Sequence, residues 1–516
     1  MIPVNACTSG KQTPAIAPIR RLSREEYQRS VEDLLGDAPL AAQAAAMLTP
    51  DPISLDFTNG VAFLDVKQGL AQDFADAAER IGDAVASSPT KYLPCNPTTA
   101  GELACATQFV ASFVRKAFRG TAVQADLDRY LNAYKAIRTQ GFDFAAGVEA
   151  VVMGVLQSPR FLYRMEFDAA GTTGVRKVSP LELASRLSFL LWHSGPDQAL
   201  LDAATQGKLV SPQEVATQAR RLLADPKSAR VVDFFSQWLD LDEMNQVVRD
   251  AKFYPGLSSG LAGLFRTETE TFVKYVMQND GKLETLLAAP YTFANDALAK
   301  HYGLPAVTGA AFQKVPVPAT KAGVLLQGGP LTLHDKSDRT SIVNRGLRVR
   351  TDVLCGLVNA PPNGVSTDLG PVDQGVTQAE RLAEHRKLPA CAGCHALMDP
   401  LGTTFERLDA VGRPRSVDEA NRPVVSTGEI TATPDINGKV AGPDELVSKL
   451  STSDTVRQCF TTTYFRYAFG HEESDADACS RQQMYEKFKA SGFDVRELLV
   501  AVTQSDDFLY RQVTAP

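Results

Sequence analysis

Apolar positions recur along most of this chain at the three-to-four-residue spacing of helices. In IRRLSREEYQRSVEDLLGD, Ser23 stands as an N-cap with Glu26 three residues on, Tyr27, Val31, Leu34 and Leu35 share a face, and Gly36 stops the run. VSPLELASRLSFLLW repeats this logic with Ser179, Pro180 and Glu182, and VSPQEVATQARRLL repeats it from Ser211. The stretch from about 178 to 303 therefore predicts a helical domain in which Phe234, Phe235, Trp238, Phe265 and Phe272 pack the core. Glu268, Glu270 and Asp280 are expected on a solvated helix face. Strands are scarce, but RPVVSTGEITATPDINGKVAG alternates, and its Asn437-Gly438 predicts a small hairpin near 422–441. The chain reads as mainly α.

An internal echo shapes the organisation. R-K-A-F from Arg115, G-F-D at 141–143 and Q-S-P-R-F-L-Y-R ending at Arg164 return as R-Y-A-F from Arg466, G-F-D at 492–494 and Q-S-D-D-F-L-Y-R ending at Arg511. In both copies the phenylalanine precedes the glycine of G-F-D by 23 positions. This predicts a duplicated helical unit at 115–164 and 466–511, a scaffold rather than an active site.

Composition narrows the possible partners. The 516 residues are 44% hydrophobic and 22% charged, with a net charge of −7 and no basic block, so nucleic acid is not expected to bind. No apolar run is long enough to span a bilayer. The opening MIPVNACTSGKQTP has neither the charged nor the apolar region of a signal peptide, which taken literally suggests the cytoplasm. Eight cysteines at staple-like spacings suggest instead an oxidising compartment, and a trimmed leader reconciles the two. A periplasmic or extracellular protein is expected. Cys95–Cys105 and Cys459–Cys479 are the local pairs the spacing favours, leaving Cys7 with Cys355 by exclusion. Alternatively, VNA before Cys7 resembles a lipoprotein cleavage site, and lipidation there would leave Cys355 free.

The candidate chemistry sits in RKLPACAGCHALMDPLG, residues 386–402, where Cys391, Cys394 and His395 form C-x-x-C-H. Two thiols spaced by two residues can add to the two vinyl groups of one haem and bring the next residue beneath the iron as axial ligand. A zinc site would need two further close Cys or His ligands. A redox dithiol would want a preceding strand and a βαβ setting. Neither is visible in the sequence, so one covalent haem c is the expected cofactor.

The run AEHRKLPACAGCHALMDPLGTTFERLDAVGRPR resembles the haem-motif domain of an exported bacterial family, the planctomycete-type or myxobacterial cytochrome-like proteins, built of domains of unknown function. The N-terminal IRRLSREEYQRSVEDLLGD, residues 178–303, LTLHDKSDRTSIVNRGLRVRTDVLC and residues 444–511 resemble its other elements. Ile342 stands where the family has proline, and FERLDA where it has F-x-x-E-N-F-D. The resemblance implies export, one haem and no defined reaction. It accords with a division into an N-terminal helical domain (1–177), a central helical domain (178–310), a haem c-binding domain (311–443) and a C-terminal element (444–516) packing with the N-terminal domain.

Further roles follow from residue chemistry. Haem propionates are anionic, which makes Arg345, Arg386, Arg413 and Arg415 candidate partners. Asp399-Pro400 with Gly402 predicts a turn that ends the motif helix and lets backbone approach the macrocycle. Met398 lies one helical turn beyond His395 on the same side, cannot reach the opposite face, and is read as packing. Among His193, His301, His334, His385 and His471, His385 is the favoured distal ligand or hydrogen-bonding group above the iron, with His334 next. Three functions stay open: a haem-dependent oxidoreductase (peroxidase- or oxygenase-like) of unknown substrate, a pure electron-transfer cytochrome, or a helical scaffold whose C-x-x-C is a disulfide. Expected partners are a redox protein or a small-molecule substrate.

Overall fold

The computed structural model describes residues 2–3, 5–7, 12–16, 18–167, 172–255, 259–359, 376–387 and 389–513. Helices dominate, and strands occur among the described residues as short antiparallel pairs. The chain divides into two compact units. One comprises Met1–Pro3, Val232–Tyr464 and Tyr485–Leu498, and the other Val4–Val231, Phe465–Met484 and Leu499–Pro516. The division at 231/232 falls inside the stretch expected as a central domain.

In the unit built on Val4–Val231, local signals set the helix ends. Arg24–Leu35 opens on the Ser23/Glu26 capping box and closes on Gly36 at φ 69°. Pro180–Trp192 and Pro212–Ala224 open on the Ser179/Glu182 and Ser211/Glu214 boxes. Each N-cap removes an orphan N–H and is worth about 1 kcal/mol. Tyr27, Phe74, Ile81, Phe109, Val151 and Phe161 are part of one buried cluster. Arg20–Arg21 pairs with Tyr163–Arg164, and Gly174–Lys177 with Tyr510–Val513.

The sequence echo is also an echo of elements. Glu102–Ala117, Gln124–Thr139, Phe144–Leu156, Pro159–Leu162 and the strand Tyr163–Arg164 are matched by Asp454–Phe469, Ala478–Ala490, Val495–Val502, Asp506–Leu509 and the strand Tyr510–Val513. The residue after the shared phenylalanine is left-handed in both copies, Arg119 at φ 55° and Gly470 at φ 70°. In the first copy the Arg119 guanidinium donates to the carbonyls of Arg160, Phe161 and Tyr163, closing the unit on itself.

In the unit built on Val232–Tyr464, Phe234, Phe235 and Trp238 of the helix Val232–Trp238 pack on Phe460, and Phe234 also meets Tyr464. Phe265 and Phe272 are buried as expected. Glu268 departs from expectation: it is buried, and its carboxylate accepts from Thr292 Oγ1 at 2.7 Å and Tyr302 OH at 2.6 Å. Its spacing from Phe265 and Phe272, three and four residues, puts it on the core face of the Ser259–Gln278 helix. Burial pushes its carboxyl above the usual range, against the pull of buried Lys321 and these hydrogen bonds. The expected hairpin forms, Gly428–Ile430 pairing with Gly438–Val440. Asn437 closes a longer loop than a two-residue turn, its Oδ1 accepting from Thr433 N and Oγ1 at 2.8 Å each.

Six of the eight cysteines pair, as Cys95–Cys105, Cys7–Cys479 and Cys355–Cys459. The local pair is as expected, and the other two are a correction. Cys459 is bonded to Cys355 and Cys479 to Cys7, each pair within one unit. The pairing of Cys7 also replaces the lipidation alternative, because its sulfur is already bonded to Cys479.

Candidate functional site

Two consecutive helices of the Val232–Tyr464 unit present the motif. Gln378–His385 opens on a capping box of Thr377 and Glu380. Pro389–Thr403 follows, with proline in its first turn, and carries C-x-x-C-H in its first half. The expected turn at Asp399-Pro400 does not form, because this helix continues through Pro400 to Thr403. Proline removes one donor, leaving the carbonyl of Ala396 unpaired within the helix, and Ala396 is exposed to solvent.

The expected close backbone approach at Gly402 occurs, but to protein. A Cβ at Gly402 would lie 1.7 Å from the carbonyl oxygen of Ile342, and one at Gly346 would lie 1.9 Å from that of Met398. The helix Ile342–Arg348 thus crosses the motif helix backbone against backbone and holds it. Met398 is buried, in keeping with a packing role.

Cys391 is buried and Cys394 partly exposed, and both thiols are free. One turn on, His395 Nδ1 lies 2.9 Å from Asp399 Oδ1. Asp399 is fully buried, and its other oxygen accepts from Arg386 Nη1 at 3.0 Å. A carboxylate acceptor at Nδ1 places the ring proton there and leaves the Nε2 lone pair for a ligand. The sequence reading missed Asp399; its signal was the i, i+4 spacing from His395 on one helix.

His385 comes close to His395, with ring centroids 4.8 Å apart and planes at 71°. The two imidazoles are thus direct neighbours in this structure. His334 belongs to another cluster, with Nε2 3.6 Å from Asp240 Oδ2, lining a small cavity with Trp238, Arg348 and Phe405. Burial, reinforced by the Arg345 charge, lowers its pKa to about 4, so it is neutral at ordinary pH.

The four arginines separate into two kinds. Arg345 is buried, paired with Asp335 through Nε at 3.0 Å and Nη2 at 2.6 Å, and donates to the carbonyls of Phe405, Leu408 and Asp409. Arg415 pairs with Glu406 and Glu419 and donates to Thr340 Oγ1. These two guanidiniums hold the loops after the motif helix together. Their donors are spent on internal partners, which corrects the expectation that they reach outward to an anionic group. Arg413 pairs with Asp409 at 2.8 Å and stays partly exposed, and Arg386 holds Asp399 while lining a groove.

That groove has a volume of about 960 Å³. Leu382 and Arg386 border it from one side, Ala396, Pro400 and Thr403 of the motif helix from another, and Lys439 of the hairpin from a third. Among the described residues, Cys391, Cys394 and His395 do not converge with further His, Cys, Asp or Glu ligand atoms into a set for one metal ion.

Five family models match successive stretches, each described as Protein of unknown function: DUF1587 at residues 20–87, DUF1595 at 105–166, DUF1592 at 178–304, DUF1588 at 321–418 and DUF1585 at 437–508. The one spanning the motif helix carries the label PSCyt3. Together they make the chain similar to a multi-domain, planctomycete cytochrome-related set of unknown function. No curated protein and no solved structure matches it.

Proposed function

We propose that this chain is an exported redox protein with one covalently attached haem c, an oxidoreductase acting on a small molecule or through a redox partner. The observation that carries this reading is the contrast among the cysteines: six are paired, and the two left free are those of C-x-x-C-H. Cys391 and Cys394 would hold the group through two thioether bonds, and His395 Nε2 would bind its iron. The donor set fits, since Nδ1 is engaged by Asp399 and Nε2 is left to bind. Such a group would supply one-electron chemistry or reaction with oxygen or peroxide.

Around it this chain's residues do ordinary work. The crossing at Gly346 and Gly402 fixes the motif helix, and a groove lined by Ala396, Pro400 and Thr403 runs along another part of that helix, with Lys439 at its edge. His385, beside His395, is a side chain able to give or take a proton next to the ligand. Three disulfides suit an oxidising compartment, and among the described residues no helix is long and apolar enough to cross a membrane.

The test is attachment. Protein produced in a periplasm with haem-attachment machinery should keep its haem through denaturing electrophoresis, and Cys391→Ala with Cys394→Ala should release it. A colourless wild-type protein whose Cys391 and Cys394 map as a disulfide would overturn the reading in favour of a scaffold.

A further inference from the structure

We propose that Asp399 is a positioning residue for His395 that biases the bound iron toward its ferric state, and that Arg386 sets how strongly it does so. The inference rests on the haem reading above and deepens it. His395 and Asp399 stand four residues apart on one helix, so their 2.9 Å contact needs no tertiary adjustment once the helix is formed. That helix is locked from outside by the glycine crossing and, at its end, by Thr403 Oγ1 donating at 2.7 Å to the Asp399 carbonyl. Asp399 is wholly shielded from water, so its contact with the imidazole is screened less than one at the surface. A buried carboxylate pulling on Nδ1–H makes Nε2 a stronger donor. A more strongly donating axial ligand favours the higher oxidation state of the metal, the poise of a site that activates an oxidant rather than of a high-potential electron carrier.

Arg386 takes the second carboxylate oxygen at 3.0 Å and is about one-third exposed. Its guanidinium draws charge away from the oxygen that faces His395. The two side chains therefore act in opposite senses on the same imidazole, one through direct contact and one through the contact it competes with.

The experiment uses haem-loaded full-length protein and two readouts that do not depend on turnover: the midpoint potential and the iron–histidine stretching frequency of the ferrous form. In Asp399→Asn, the ferrous-to-ferric ratio at fixed potential should rise at least tenfold, about 59 mV for one electron, and the iron–histidine frequency should fall. In Arg386→Gln both should move the other way, by a smaller factor. Glu384→Gln, which removes an exposed charge paired with Lys387, should change neither by as much as twofold. Equal and opposite potential shifts with an unmoved iron–histidine frequency would reduce the pair to bystander charges and overturn the inference. So would covalent haem in every variant with no shift at all. Should Asp399→Asn fail to fold, Arg386→Gln still decides it. Absence of covalent haem from the wild type would instead refute the underlying reading.

Discussion

Two clusters of the Val232–Tyr464 unit carry most of the polar chemistry near the motif, and they are built to opposite ends. Around Arg345 and Arg415, the guanidiniums are matched to buried carboxylates and carbonyls, and the carboxyls of Asp335 and Glu406 are pushed up by burial while their arginine partners pull them down. Around His395, one ring nitrogen is held by a carboxylate, the other remains available, and two thiols stand free. Charge type alone does not mark a ligand-binding residue. What marks it is bonding capacity left over after the protein has satisfied itself.

The comparison breaks most visibly at Arg345. Arg345→Met should cost about 3–5 kcal/mol, because it removes the cationic partner of the buried Asp335 carboxylate and one donor from each of the Phe405, Leu408 and Asp409 carbonyls. Urea unfolding would measure this, and covalent haem should persist in the folded fraction; His395→Ala should do the reverse, changing the iron's spectrum with little loss of stability.

Removing Cys355–Cys459 by a double alanine substitution should lower stability by about 2–4 kcal/mol, since it opens a loop with a sequence separation of 104. Retention of that stability would mean that the cross-link does little to constrain the unfolded chain.

His334 offers a pH test of the saturated region. Its folded pKa, about 4, lies below the ordinary histidine value near 6.5. The neutral form is thus favoured in the folded state, a contribution present above about pH 6.5 and lost as pH falls through about 4. Acidification over this window should cost up to about 3 kcal/mol in the wild type. His334→Gln should remove that acid-dependent loss, as pH-resolved thermal unfolding would show.

The smallest effect belongs to Arg413. Its pairing with Asp409 is partly exposed, so Arg413→Ala should change stability by under about 1 kcal/mol. A shift in midpoint potential without a stability change would restore its expected role beside an anionic group and sharpen the contrast with Arg345 and Arg415.

Features written in contiguous stretches were legible before any fold was seen. The capping boxes at Ser23, Ser179 and Ser211, the buried aromatic run from Phe234, the hairpin and the duplicated order of elements all follow from neighbours within a few residues. The C-x-x-C-H spacing is equally local, and its candidate chemistry could be stated from sequence. The reading failed where a residue's role depends on what the chain brings to it from afar. Glu268 looked like surface until Thr292 and Tyr302 arrived to satisfy it, and Arg345 looked like a free cation until Asp335 and three carbonyls consumed its donors. Cys355 found Cys459 rather than Cys7, because disulfide partners must bring their Cα atoms within about 7 Å, and only the folded chain determines which do. Sequence by itself thus determined which groups could bind, cap or pair, since those are properties of side chains and their near neighbours. Tertiary structure decided which of them kept a valence to spare, because burial obliges every polar group to find a partner and only the fold chooses it.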